Sequence, residues 1–315
     1  MIDDLRRHFA RFMVAALAAA LGILSAPALA ADRSGQVRVD GIVRTYSIHV
    51  PDRARPPGGF PVILAFHGGG MDGARMKRLT QFDGLADQRG FIVIYPDGTD
   101  KHWNDGRSTI RNKQDDVRFV SLLLDQVEGD HAVDRARVFA TGISNGALFA
   151  ERLGCELSRR IAAIAPVAGT MPRDLAPGCR PARPVAVLQI DGTADPIMPY
   201  NGGGVADFGG RGEGGQVLSV ADTAALWARL NGCGPRGTPQ ALAPLAPLDQ
   251  TKVVRMAYQR CHPNGAVTVL TVVGGGHAWP GGSQYAPRRF IGLVSQQIDA
   301  SRMTVDFFLS QPASR

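Results

Sequence analysis

The chain has 315 residues, 44% hydrophobic and 20% charged, with a formal net charge of +7. That is ordinary globular composition, long enough for one large domain or two smaller ones. Its charges are scattered, with Arg pairs at 159–160 and 288–289 but no long basic block, so no nucleic-acid partner is expected.

Residues 1–30 read as an export signal. Arg6, Arg7 and Arg11 form a basic start, diluted by Asp3 and Asp4, and an apolar stretch runs from Phe12 to Leu24. The segment SAPALA then puts Ala28 and Ala30 at the small positions a signal peptidase needs. This apolar core is short for a spanning helix and has no stop-transfer flank. Cleavage after Ala30 removes three Arg and two Asp and lowers the net charge from +7 to +6. No cysteine follows the cut, which argues against a lipoprotein. The expectation is a protein in the periplasm or the medium, without a membrane partner, that folds residues 31–315 as one domain.

Residues 37–50 alternate around a DG turn and predict a hairpin or edge strand pair. VILAFHGGG, 62–70, is a buried strand running into glycines. Residues 74–89 have helical character, and FIVIYPDG, 91–98, is a short apolar strand. Residues 116–128 carry apolar residues at helical spacing behind an Asp cap. VFATG is a strand, 146–154 a helix, and IAAIAPVAG, 161–169, is apolar throughout. PVAVLQIDG, 184–192, is a further buried strand. Residues 219–231 predict a helix with Ser219 as N-cap, TKVVRMAY is strand-like, VTVLTVVGGG, 267–276, is the last strand, and 295–309 a closing helix. Gly-rich 201–216 and Pro- and Ala-rich 234–250 read as surface insertions. Short apolar strands alternating with amphipathic helices predict an α/β fold with a mainly parallel central sheet and helices on both faces.

Cys155, Cys179, Cys233 and Cys261 are the four cysteines. An even count in an exported chain predicts two disulfides, with three pairings open. No CxxC spacing occurs, so zinc is not expected. Asp115 and Asp116 have no other ligands nearby in sequence, and Asp116 suits a helix N-cap. No metal or cofactor is implied.

The segment GISNG, 142–146, lies between strand and helix and matches G-x-S-x-G. That motif holds a serine on a sharp turn above a helix N-terminus, with glycines two residues either side to avoid clashes. A serine needs an adjacent base to become a nucleophile, and the motif's chain order then requires a carboxylate and a histidine. Strand 184–190 leads into DGTADP, which offers Asp191 and Asp195. The last strand leads into GGGHAWPGG, which offers His277; His262, the other histidine after Ser144, sits in an HPNG turn. Oxyanion donors are expected from the backbone N–H of Asn145 and from HGGG, 67–70, with Gly69 favoured and Gly70 second. His67 is expected to brace that loop.

In order, HGGG, HWN with QDDV, VDRARVFATGISNGALFAERLGC, IAAIAPVAG, DGTADPIMPY and GGGHAWPGG resemble the polyhydroxybutyrate depolymerase and feruloyl esterase-like hydrolases, over nearly all of residues 37–310. The resemblance implies a secreted serine esterase of the α/β-hydrolase fold, with Ser144 as nucleophile, Asp195 as acid and His277 as base. It puts Trp103 and Trp279 in segments near the cleft, where each is as easily a packed core tryptophan. It matches sequential pairing, 155–179 and 233–261, which closes two modest loops. Two departures stand out. Asp191 occupies the place where relatives often have histidine in His-Gly-x-x-Asp, and His102 precedes Trp-Asn where they often carry cysteine. Implied substrates are hydroxyalkanoate esters, feruloyl or acetyl esters on plant polysaccharide, and small aryl esters. The end at Arg315, soon after the last helix, favours soluble esters or oligomers over solid polymer. The rival expectation, a non-catalytic carbohydrate-binding protein on the same fold, has to explain why three triad residues keep their register.

Overall fold

The computed structural model describes residues 31–207 and 213–312. The export-signal reading of residues 1–30 and the middle of the Gly-rich insertion lie outside them.

An antiparallel hairpin opens the chain, β1 (Ala31–Val39) with β2 (Ile42–Val50), turning at Asp40 and Gly41. Then come β3 (Phe60–Phe66), α1 (Gly73–Thr80), α2 (Phe82–Arg89), β4 (Ile92–Pro96), α3 (Asp116–Asp130), β5 (Val133–Ile143) and α4 (Asn145–Glu156). The second half adds β6 (Ala163–Val167), β7 (Ala186–Gly192), a two-residue ribbon of β8 (Gly203–Gly204) and β9 (Gln216–Val217), and α5 (Val220–Leu230). It ends with β10 (Gln240–Ala241), β11 (Lys252–Ala257), β12 (Val267–Val273), α6 (Arg288–Ile291) and α7 (Ala300–Ser310). Ten strands form one sheet in the order β1-β2-β4-β3-β5-β6-β7-β12-β11-β10. The six from β4 to β12 in that order run parallel, and an antiparallel pair closes each edge.

Strand parity explains why the central strands read as unbroken apolar runs. Val62, Leu64 and Phe66 of β3 enter one core with Phe119 of α3 and Trp227 of α5. Ile63 and Ala65 enter the other with Phe82 of α2 and Phe308 of α7. Both faces are covered, so β3 is apolar at every position. The mainly parallel sheet with helices on both faces is the α/β-hydrolase arrangement.

Three local expectations are corrected. Residues 74–89 form two helices, because Gln81 adopts a left-handed conformation with φ 52°. In one continuous helix Met76 and Phe82 would point about 120° apart; the break buries both in the same core. The closing helix begins at Ala300, capped by Asp299, because Ser295 and Gln297 bond instead to Thr251 and Ala246. The N-cap of α3 is Asp115, which accepts from Arg118 N, and Asp116 is the first helical residue. Asp116 is buried and bonds to the Arg44 guanidinium and to Asn104 N, which ties the edge hairpin to the loop after β4.

Cys155 pairs with Cys179 and Cys233 with Cys261. Sequence separations of 24 and 28 predict about 3 kcal/mol of stabilisation from each bridge in the chain-entropy model. Reduction should therefore lower the calorimetric melting temperature by several degrees per bridge. An unchanged melt with both bridges shown to be open would contradict that.

Candidate active site

Three loops meet at the C-terminal ends of β5, β7 and β12. Ser144 sits on the turn between β5 and α4 with φ 58° and ψ −125°, a strained conformation for a residue with a side chain. Its flanking glycines are required by contact. A Cβ on Gly142 would lie 2.5 Å from the carbonyl carbon of Gly146, and one on Gly146 would lie 2.3 Å from Phe66 O. The turn is fastened to β6 through Ser144 N donating to Val167 O at 3.1 Å.

After β7, Asp195 Oδ1 accepts from the backbone N–H of Ile197 and Met198, at 2.7 and 2.8 Å. Asp195 Oδ2 lies 2.8 Å from His277 Nδ1, with both side chains almost fully buried. His277 is fixed from behind, its N–H donating to Ile291 O at 2.6 Å and its carbonyl accepting from the Tyr285 hydroxyl at 2.6 Å. Ser144 and His277 line one cavity of about 800 Å³, together with Gly69 and Asn145.

Asp191 has a different role. Its Oδ1 accepts from Gly169 N at 3.0 Å, and Gly169 packs against the Ser144 carbonyl so closely that a Cβ there would lie 3.0 Å from it. Burial, followed by the charge of Asp195, holds the Asp191 carboxyl far above the usual carboxylate range. Its carboxyl pins the loop under the serine turn through Gly169 N, and it does not bond to His277.

The glycine loop after β3 behaves unevenly. Gly70 N donates to Lys101 O at 3.0 Å, so the expectation of Gly70 as an oxyanion donor is corrected: its N–H is already used. Gly69 also lines the cavity, and no acceptor engages its N–H or that of Asn145 among the described residues. His67 braces the loop, with Nδ1 2.8 Å from Gly68 O and Nε2 accepting from Gly98 N at 2.9 Å. Burial lowers its pKa, which suits a neutral ring that donates on one side and accepts on the other.

Trp103 and Trp279 are corrected as substrate contacts. They are 0% and 1% exposed. Trp103 stacks on Phe149 with centroids 5.1 Å apart and donates from Nε1 to His67 O. Trp279 packs against Phe82 and bonds to Ser301. Trp103 still serves the site through its backbone, because its N–H donates to Asn145 Oδ1 and its carbonyl accepts from Asn145 Nδ2. Asn145 Nδ2 also donates to buried Asp105, which is clasped by Arg107. Sequence reading missed this Asp105–Arg107 clasp; only the short N-D-G-R run hints at it.

Behind the serine helix, Glu151 is fully buried with Oε2 2.5 Å from Trp227 Nε1. Burial pushes its carboxyl up to about 8, from an ordinary 4.5. The folded protein keeps this proton where the unfolded chain has lost it, so its contribution to stability falls as pH rises from 4.5 to 8 and then levels off. Between pH 5 and 8 that loss is on the order of 4 kcal/mol. Glu151→Gln should remove that part of the slope. Urea unfolding of both proteins at the two pH values checks it, and parallel pH dependences would refute it.

No family model matches the chain. It is 32% identical over 283 residues to the Nocardia uniformis subsp. tsuyamanensis protein named "Putative esterase NocK", across 87% of this chain and 81% of that one. To feruloyl esterase B of Piromyces equi it is 29% identical over 224 residues, across 69% of this chain and 39% of that one. The solved acetyl xylan esterase of Aspergillus awamori shares the fold, with a TM-score of 0.56 at 16% identity, over 78% of this chain and 94% of that one. The resemblance carried by the motifs and the likeness of sequence and fold agree: the chain belongs to the feruloyl esterase-like α/β-hydrolases and is a carboxylic ester hydrolase.

Proposed function

We propose that this esterase works through an acyl-enzyme on Ser144, with His277 as general base and Asp195 as its partner. The observation that carries the proposal is the bond from His277 Nδ1 to Asp195 beside a cavity that Ser144 shares. With the Nδ1 proton on the carboxylate side, Nε2 is left as the basic nitrogen. Ser144 Oγ attacks the ester carbonyl and its proton passes to His277. The N–H groups of Gly69 and Asn145 receive the developing oxyanion, and the alcohol leaves carrying the proton from His277. Water then repeats the steps on the acyl group. Asp195 keeps the imidazole oriented and stabilises its charged form.

The substrates are feruloyl- or acetyl-type esters, or hydroxyalkanoate oligomers. The protein is exported after cleavage near Ala30, and residues 31–315 act as one catalytic domain; two disulfides favour an oxidising compartment. The test is turnover of 4-nitrophenyl acetate, methyl ferulate, acetylated xylan and hydroxybutyrate oligomers, with labelling by a fluorophosphonate. Labelling at Ser144 with turnover of at least one ester is expected. Turnover without labelling at Ser144 would overturn the assignment of the nucleophile.

A further inference from the structure

The cavity above Ser144 is walled by two kinds of surface. One part is apolar, from Ile197, Met198, Val205 and Ile291. The other is cationic, from Arg75 and Arg78 of α1, which follows directly on the glycine loop. Arg75 Nη1 is 3.4 Å from Gly70 O, which puts its head beside that loop.

These two arginines differ from the other charges around them. Arg107 lines the same cavity, but Asp105 and the Gly214 carbonyl occupy its guanidinium. The acidic lining residue, Glu213, accepts from Arg111 N at 2.9 Å and faces the Arg111 side chain at 4.0 Å. Lys77, between the two arginines on α1, turns to Asp83 at 2.6 Å. Among the described residues, neither Arg75 nor Arg78 has a carboxylate partner. They stand one helical turn apart, where like charges repel. An anion between them would relieve that repulsion, and a guanidinium pair suits the flat, two-oxygen geometry of a carboxylate.

We infer that Arg75 and Arg78 form a carboxylate-binding subsite of the catalytic cavity, and that preferred esters carry a free carboxylate beyond an apolar body. This rests on the proposed role of Ser144. Both arginines are exposed, and water and salt weaken such pairs. The preference is therefore modest, about tenfold in kcat/KM at low ionic strength.

The test compares mono-4-nitrophenyl suberate with its methyl-capped neutral diester on each enzyme preparation. The same 4-nitrophenyl ester bond breaks in both, so the ratio of the two kcat/KM values cancels differences in the active fraction. The wild type should favour the hemiester about tenfold at low salt, and this should shrink in about 0.5 M salt as screening shortens to a few ångströms. Arg75→Gln with Arg78→Gln should bring the ratio near one, and Arg75→Lys with Arg78→Lys should keep only part of it, because an ammonium keeps the charge but not the flat two-donor geometry. Lys77→Gln removes a charge from the same helix without touching the cavity and should leave the ratio unchanged. Equal rates on the two esters in the wild type would overturn the inference and leave the esterase reading intact. So would a loss in Lys77→Gln as large as in the arginine variants, because the net field alone would then explain the preference. Failure to cleave either ester, together with no fluorophosphonate label on Ser144, would count against the nucleophile assignment itself.

Discussion

Ser144→Ala is expected to lower ester turnover by about 10³-fold or more and to abolish fluorophosphonate labelling, with the fold unchanged. The residual rate is what the Gly69 and Asn145 donors and substrate binding supply without a nucleophile. The fold should survive because the turn depends on the glycines on either side and on the bond from residue 144 N to Val167 O, none of which needs the hydroxyl. Alanine bears the same left-handed backbone strain as serine. Circular dichroism and thermal melts establish folding, and steady-state kinetics on a 4-nitrophenyl ester measure the loss. A folded variant retaining half the activity would remove Ser144 from the mechanism.

The second large effect separates two carboxyl groups four residues apart. Asp195→Asn keeps the shape of the side chain but puts an amide against His277 Nδ1, where the bond is 2.8 Å. An amide NH₂ there favours the imidazole tautomer with its proton on Nε2, the nitrogen that must accept from serine. A loss of about 10⁴-fold in kcat is expected from this wrong tautomer. Asp191→Asn should cost far less than that. Burial raises the Asp191 carboxyl well above the usual carboxylate range, so a neutral amide costs it little, and an asparagine oxygen can accept from Gly169 N as Oδ1 does. Kinetics of the two single variants, each checked for folding, decide it. If Asp191→Asn is the crippled enzyme, the two roles are exchanged.

How far these roles could be read in the sequence follows from which interactions are local. The parallel sheet was legible because strands buried on both faces are dominated by apolar residues at both parities, as in FPVILAF of β3. The serine turn was legible because the constraint on it lies within five residues; chain order after a G-x-S-x-G motif offered Asp191 or Asp195 and then His277, and only the fold shows which of the two carboxyls meets the imidazole. Gly70 was misread because its N–H is consumed by Lys101 O, thirty-one positions away, and no neighbouring residue signals that bond. Trp103 and Trp279 were misread because indole serves a core as well as a cleft. The break at Gln81 was hidden because the register between Met76 and Phe82 matters only once both face a common core. The arginine pair of α1 drew no notice in sequence, since an unpaired cation there looks like any solvated one.

The placement of the two disulfides has a consequence for how this enzyme can diversify. Cys155 ends α4, whose other end carries the serine turn, and Cys179 and Cys261 precede β7 and β12 at the strand ends opposite Asp195 and His277. The covalent staples therefore hold the floor of the sheet, and the loops after β7 and β12 form the rim. Substitutions in residues 197–207 or 283–294 can redraw the cavity above Ser144 without competing with oxidative folding. A library that randomises the rim should keep its yield of correctly bridged protein, so variation in selectivity is separated from variation in foldability.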